Sequence, residues 1–401
     1  MNSFQSILDI LQILILAYFG GATFYLLIYA FAGFFNKKDN VFPISRNRHI
    51  SIVIPAFKED PVIVDVVMSA LNQDYPTDSF RVIVVADSFQ TETLQALKLL
   101  PIELVEAHFE FSTKAKSLQI SLNYLPDQTD LVLVLDADNI MEDHFLSKIN
   151  MAFESSFKVI QCHRIAKNTN TSFALLDAIS EEVNNNIFRS GHRALGISSA
   201  LIGSAMVFDA LLFRKYIPQL SAIGGFDKEL ELIILREKVK IEYLQDAYVL
   251  DEKVQNAHVF YKQRKRWMYA QFYFFGRDFI VSIWHLLAHR NFDYFDKTLQ
   301  FSLPPRAMLF GVLFILNILN LFVPNPNFQY CWLGILIMII FTLLISIPKK
   351  FYTIKTLKAL ISFPKVFFLM ILILLKLRGG NKEFIHTEHS YSNGNQTKPG
   401  R

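Results

Sequence analysis

At 401 residues, 52% of them hydrophobic, and with a mean hydropathy of +0.28, the chain is too apolar for an all-soluble protein. Its 40 basic and 36 acidic residues leave a formal charge of +4, too small and too scattered for nucleic-acid binding to be its main business. The two cysteines, Cys162 and Cys331, exclude a disulfide framework and a cysteine-rich zinc site and indicate a reducing compartment.

The first element runs from Ile10 to Phe35 without a charged residue over 26 positions. That is longer than a signal-peptide core and long enough for the roughly 30 Å hydrocarbon layer. Lys37, Lys38, Arg46 and Arg48 follow at once, so the positive-inside rule puts the next segment in the cytoplasm. Residues 1–36 are read as a transmembrane helix and 37–260 as a cytosolic domain. Between Ile50 and Leu250, short β-branched runs alternate with polar, helix-like stretches, the pattern of an α/β domain with a mainly parallel sheet. The expected strands are Ser51 to Phe57, Arg81 to Asp87, Ile102 to Ala107 and Leu131 to Asp138. The last is apolar without alternation up to Leu135, as a strand covered on both faces should be. Two strands end in acids, Asp87 and the pair Asp136 and Asp138, and open α/β sheets bind ligands at the carboxyl ends of strands. Carboxylates two apart at a strand end project to one face and suit a hard divalent cation beside a diphosphate.

Residues 261–305 contain QRKRW, in which Gln263, Arg266 and Trp267 share one face if helical. The stretch Trp267 to Asn291 fits either an amphipathic helix in the membrane interface or a buried helix of the soluble domain. From Ala307 to Pro348 a second charge-free stretch of 42 residues is split by the turn Pro324 to Asn327, so 306–348 reads as a transmembrane hairpin. In 349–378 the apolar piece Val366 to Leu375 has only ten residues, which suits an interfacial or re-entrant helix better than a fourth crossing. Residues 379–401 carry FIHTEHS and a polar tail.

Taken in order, these motifs resemble the membrane-embedded, inverting family-2 glycosyltransferases, including the cellulose, hyaluronan and poly-N-acetylglucosamine synthases, over nearly the whole chain. The resemblance implies an α/β fold of the GT-A, nucleotide-sugar-binding, Rossmann-like type with flanking transmembrane and interfacial helices. It assigns Asp87 in VVADS to the nucleobase and Lys114 in TKAKSLQ to the nucleotide, with Lys116 as a nearby option. Asp136 and Asp138 in LDADN fall on its metal and diphosphate ligands, implying Mg2+ or Mn2+ as cofactor. Gly203 and Ser204 in IGSAMVF line its acceptor side, and Gln263, Arg266 and Trp267 lie beneath the diphosphate and acceptor sugar. One motif departs from the pattern. The family's helix-opening Glu-Asp pair is replaced by Lys228 and Glu229 in GGFDKELEL, so register makes Glu229 the general base, with Asp227 as a rival or helix cap and Glu231 a surface acid. Phe384 and Thr387 match part of a gating segment.

The resulting expectation is a multi-pass membrane enzyme with its catalytic domain in the cytoplasm. It takes a nucleotide-sugar donor, UDP-linked by resemblance, and passes the sugar to a polysaccharide or lipid-linked acceptor, in contact with membrane lipids and with export or synthase partners. A non-catalytic nucleotide-sugar sensor or export-complex subunit is the alternative, supported only by the Lys228 and Glu229 departure.

Overall fold

The computed structural model describes residues 3–35, 44–322 and 325–377. Its centre is an eight-stranded mixed sheet formed by β1 (Ile50–Phe57), β2 (Phe80–Asp87), β3 (Glu103–Ala107), β4 (Leu131–Val134), β5 (Ile140–Met141), β6 (Val159–Ala166), β7 (Met206–Asp209) and β8 (Ile241–Asp251). The order is β3-β2-β1-β4-β7-β6-β8-β5. Strands β3, β2, β1 and β4 are parallel, so the ends carrying Asp87, Phe57 and the segment after Val134 emerge side by side. Strand β7 enters antiparallel between β4 and β6, which brings the preceding Gly203 to the same edge.

Successive residues of a strand face opposite sides of a sheet, and here both sides are covered. Ile52, Ile54, Val82, Val84, Leu131 and Leu133 pack on one side. Val53, Ile83, Val85, Val132 and Val134 pack on the other, with Leu118, Leu230, Ile234 and Phe274. The unbroken apolar runs of β1, β2 and β4 follow from that two-sided burial. Strand β4 stops at Val134, four residues short of the expected end. Beyond Leu135 the chain turns, with Asn139 N–H on the Asp136 carbonyl at 3.1 Å and Asp136 N–H on the Ser204 hydroxyl at 2.9 Å. The acids therefore lie on a turn at the strand end, held by side-chain bonds rather than by the ladder.

Among the described residues three helices are long and apolar enough to cross a membrane: Asp9–Phe34, Pro326–Ser346 and Ile354–Leu375, of 26, 21 and 22 residues. Most of their surface faces outward. A shorter pair, Phe292–Ser302 and Arg306–Asn320, bends by 54° at its break. In the expected hairpin, Asn325 caps Pro326–Ser346 by accepting from the Asn327 N–H, and Pro326 occupies the first turn, where its missing N–H is harmless. The ten-residue length expected for the last apolar segment is corrected, because helical turns run from Ile354 to Leu375. That helix nevertheless touches the α/β domain along its length: Ala359 near its start clusters with Leu175 and Ala178, Lys365 at its middle lies over the Phe173 ring at 5.7 Å, and Ile373 near its end clusters with Val254, Phe260 and Met268. The helix Ala257–His289 joins the two expected readings of its region, burying Met268, Ala270 and Phe274 while exposing Ile280, Trp284 and Leu287.

The first helix is locked to the domain by backbone contact. A Cβ on Gly191 would lie 2.0 Å from the Tyr29 carbonyl oxygen, and one on Gly33 2.6 Å from that of Asn186. Residues Asn185–Gly191 form the wider turn of a π-helix at this contact.

Candidate active site

A cavity of about 240 Å³ opens at the carboxyl ends of β1, β2 and β4. Asp87, Lys114, Asp136, Asp138, Gly203, Asp227, Gln263, Arg266 and Trp267 all line it, although they come from six separate stretches of chain.

At the β2 end, Asp87 is fully buried. Its Oδ1 accepts from the Ser88 hydroxyl at 2.9 Å, while Oδ2 has no hydrogen-bond partner among the described residues. A buried carboxylate oxygen without a donor is costly, so this group is set to receive an N–H from a bound molecule. Lys114 opens the helix Lys114–Ser121, whose cap Thr113 accepts from the Lys116 N–H at 3.2 Å. Its ammonium donates to Asp136 and, at 2.6 Å, to the Gly203 carbonyl. Lys116 instead points outward to the Phe111 carbonyl at 2.8 Å and is absent from the wall, so of the two lysines Lys114 is the one that lines the cavity.

Asp138 is buried and accepts from Asn139 Nδ2 at 3.0 Å. Among the described residues no three His, Cys, Asp or Glu side chains group as metal ligands. Asp136 and Asp138 thus form a two-carboxylate set that fits a hard cation completing its shell with substrate oxygens. The spot beside Asp136 accepts positive charge, since the Lys114 ammonium is there.

Ser204 does not line the cavity as expected. It is fully buried behind the wall, where its hydroxyl accepts from Asp136 N–H and donates to Asn139 Oδ1 at 2.6 Å, bracing the acid turn. Gly203 does line the cavity, at φ +85, and a Cβ there would meet the Phe226 ring at 3.4 Å.

Nor does Glu229, the base that register points to, reach the cavity. Glu229 is buried and turned away from the cavity. Its carboxylate accepts from Ser221 N–H and Oγ, both at 2.9 Å, and from Ala222 N–H at 2.8 Å, with Arg277 at 3.4 Å. Every lone pair it could offer a substrate is engaged. Asp227, in the first turn of the same helix, is on the wall. The residue flanking the helix is Gly225, at φ +74, so Asp227 is not the cap. Glu231 is no surface acid: it is buried against Lys297 at 2.8 Å, and burial raises its pKa above the usual carboxylate value.

Gln263, Arg266 and Trp267 share a helix face and reach the cavity together, as their spacing implies. Burial lowers the Arg266 pKa, opposed by the fields of Asp227 and Asp136. Gln263 Oε1 is buried without a partner among the described residues. Behind Trp267, the Arg264 guanidinium stacks at 4.4 Å and pairs with Asp177.

Sequence reasoning missed a charged stretch of the wall, made by Arg164, Glu181, Asp251 and Lys253. Arg164 meets Glu181 at 2.9 Å, and Lys253 meets Asp251 at 2.6 Å. Burial works against ionised Glu181, yet Arg164, Lys253 and Arg189 hold its pKa well below the usual carboxylate range. The signal in the sequence was an Asp-Glu-Lys run, whose Asp251 the parallel pairing of β6 with β8 brings near Arg164, and a Glu-Glu pair on the helix Ser172–Asn184, whose Glu181 reaches the same arginine. Phe384 and Thr387 lie outside the described residues.

Residues 47–270, more than half of the chain, match the family described as glycosyltransferase like family 2. No curated protein matches the chain. Among solved structures, the mannosyltransferase PcManGT from Pyrobaculum calidifontis, in complex with GDP-Man and Mn2+, is similar at 15% identity with a TM-score of 0.51. The match covers 84% of this chain and 99% of that one. S. aureus TarS with UDP-GlcNAc matches at 14% identity and TM-score 0.40, over 79% and 91% of the two chains. Glucosyl-3-phosphoglycerate synthase from Mycobacterium tuberculosis, with Mn2+, UDP and phosphoglyceric acid, matches at 17% and 0.35, over 52% and 71%.

Proposed function

Because the chain belongs to glycosyltransferase-like family 2 and is a GT-A glycosyltransferase, we propose that it transfers a sugar, with inversion, from a nucleoside-diphosphate sugar to a polysaccharide or lipid-linked acceptor at the cytoplasmic leaflet. The observation that carries this reading is the convergence of Asp87, Lys114, Asp136, Asp138, Asp227 and Arg266 on one cavity at the strand ends. The similar mannosyltransferase was solved with a nucleotide sugar and Mn2+, which supports the donor class.

In this reading Asp87 receives the base, and Asp136 and Asp138 hold the cation, which when bound neutralises charge on the diphosphate. Lys114 and Arg266 bring fixed positive charge to the departing phosphate, where charge grows as the glycosidic bond breaks. Arg266 is suited to two parallel bonds to phosphate oxygens. Asp227 takes the proton of the acceptor hydroxyl, replacing Glu229 in that role, since a general base must reach the proton it removes. Trp267 offers an apolar ring for a sugar face, its other side backed by Arg264.

The three apolar helices support an integral membrane protein, and the basic residues Arg46 and Arg48 after the first support a cytoplasmic catalytic domain. The test is product analysis with the full-length protein in lipid nanodiscs, given one labelled donor at a time with Mg2+ or Mn2+. Incorporation of label from one donor into a saccharide or lipid-linked product is expected. Turnover of no UDP- or GDP-linked donor would overturn the reading.

A further inference from the structure

We propose that Lys114 is a stand-in cation: in the donor-free enzyme its ammonium holds the place on Asp136 that the divalent ion takes, so the ion enters with the donor diphosphate and not before it. This rests on the donor-site reading above.

The ammonium contacts two oxygens, the Asp136 carboxylate and the Gly203 carbonyl, the oxygen type that hard divalent cations select. Lys114 is placed there by the capped start of its helix, and its ammonium lies 5.0 Å from the Phe226 ring centroid. An ion arriving alone must displace Lys114 from Asp136, in a cavity that also holds Arg164, Lys253 and Arg266. The other acids of the wall offer the displaced charge little, since Glu181, Asp251 and Asp177 are already paired with Arg164, Lys253 and Arg264 and Asp227 lies 3.9 Å from Lys228, and the ion has only two carboxylates as ligands. A diphosphate changes both terms. It supplies oxygens for the ion and a charge-assisted acceptor for the freed ammonium. Lys114 therefore lowers affinity for the bare ion and couples the ion to the donor, a reciprocal coupling between two ligands of one site.

The test is Mn2+ titration of the solubilised full chain, with free Mn2+ followed by electron paramagnetic resonance. Without nucleotide, Lys114→Met, which keeps length but removes charge, should tighten Mn2+ binding about tenfold, whereas Lys114→Arg should stay near the wild-type value. Adding UDP or GDP should tighten binding by about tenfold in the wild type and by much less in Lys114→Met. Asp136→Asn should abolish the tight binding of Lys114→Met. Equal donor-free affinity in the wild type and Lys114→Met, or tight binding that survives Asp136→Asn, would overturn the proposal. If neither nucleotide strengthened wild-type Mn2+ binding, the donor reading and the ordering would fall, while the donor-free titration would still decide whether Lys114 competes at Asp136.

Discussion

Two acidic residues two positions apart on one helix, Asp227 and Glu229, point in different directions. Asp227 faces the cavity, and Asp227→Asn should cut kcat by about 10² to 10⁴ while leaving donor affinity near wild type, as measured by steady-state kinetics beside nucleotide titration. Glu229 instead ties its helix to the turn at Ser221 and Ala222 and to Arg277. Glu229→Gln should lower stability by about 1–3 kcal/mol in denaturant unfolding, with turnover per folded molecule largely kept. Inactivity of Glu229→Gln alongside activity of Asp227→Asn would return the base to the position that register assigns it. Asp136→Ala and Asp138→Ala should each abolish transfer in a protein that still folds, because both acids lie on a turn at the cavity rather than within the apolar core. Near-normal turnover at saturating donor in either variant would remove the metal assignment.

At the scale of elements, the helix Ser172–Asn184 connects the cavity wall to the membrane-facing bundle. Its Glu182 accepts from His163 on β6 and meets Lys350 at 2.7 Å. Burial opposes ionisation of Glu182, yet the bond from His163 and the nearby positive charges lower its pKa to about 2. A depressed carboxylate stabilises the fold above its unfolded pKa of about 4.5 and loses that contribution as pH falls toward 2. Thermal unfolding of Glu182→Gln should therefore depend less steeply on pH between about 4.5 and 2 than that of the wild type. The same helix leads into the π-helical turn that meets the first helix, and Gly191→Ala tests that contact. No rotamer can relieve a Cβ 2.0 Å from a backbone oxygen, so the variant should lose about 1–3 kcal/mol or more, read as a lower melting temperature in detergent.

For the whole molecule, the question is how the last helix meets the bilayer. Ile354–Leu375 is long enough to cross, but it lies against the α/β domain both near its start, at Ala359, and near its end, at Ile373, and it carries Lys355, Lys358 and Lys365 between its start and its middle. A helix lying along the membrane surface beneath the domain satisfies both contacts, whereas a crossing would carry one end away. A tag after Gly400 should accordingly be shielded from impermeant labelling reagents in intact cells. Labelling there would establish a further crossing.

The sequence by itself determined the apolar ends, the parallel strands β1 to β4 and the order of the site motifs, because unbroken apolar runs and strand-end acids are local signals of a sheet buried on both faces. It also determined that Gln263, Arg266 and Trp267 lie together, since helical spacing alone puts them on one face. Folding in three dimensions set what spacing leaves open: that Lys114 and not Lys116, and Asp227 and not Glu229, reach the cavity, that Ser204 braces the acids from behind, and that Arg164, Glu181, Asp251 and Lys253 form an ionic stretch of wall. Each depends on which way a polar side chain turns, and the deciding partner comes from a distant stretch of chain: Gly203 for Lys114, Asp136 and Asn139 for Ser204, β8 for Arg164. Glu229 has near neighbours, Ser221 and Ala222, but only folding of the intervening glycine turn brings their N–H groups to its carboxylate.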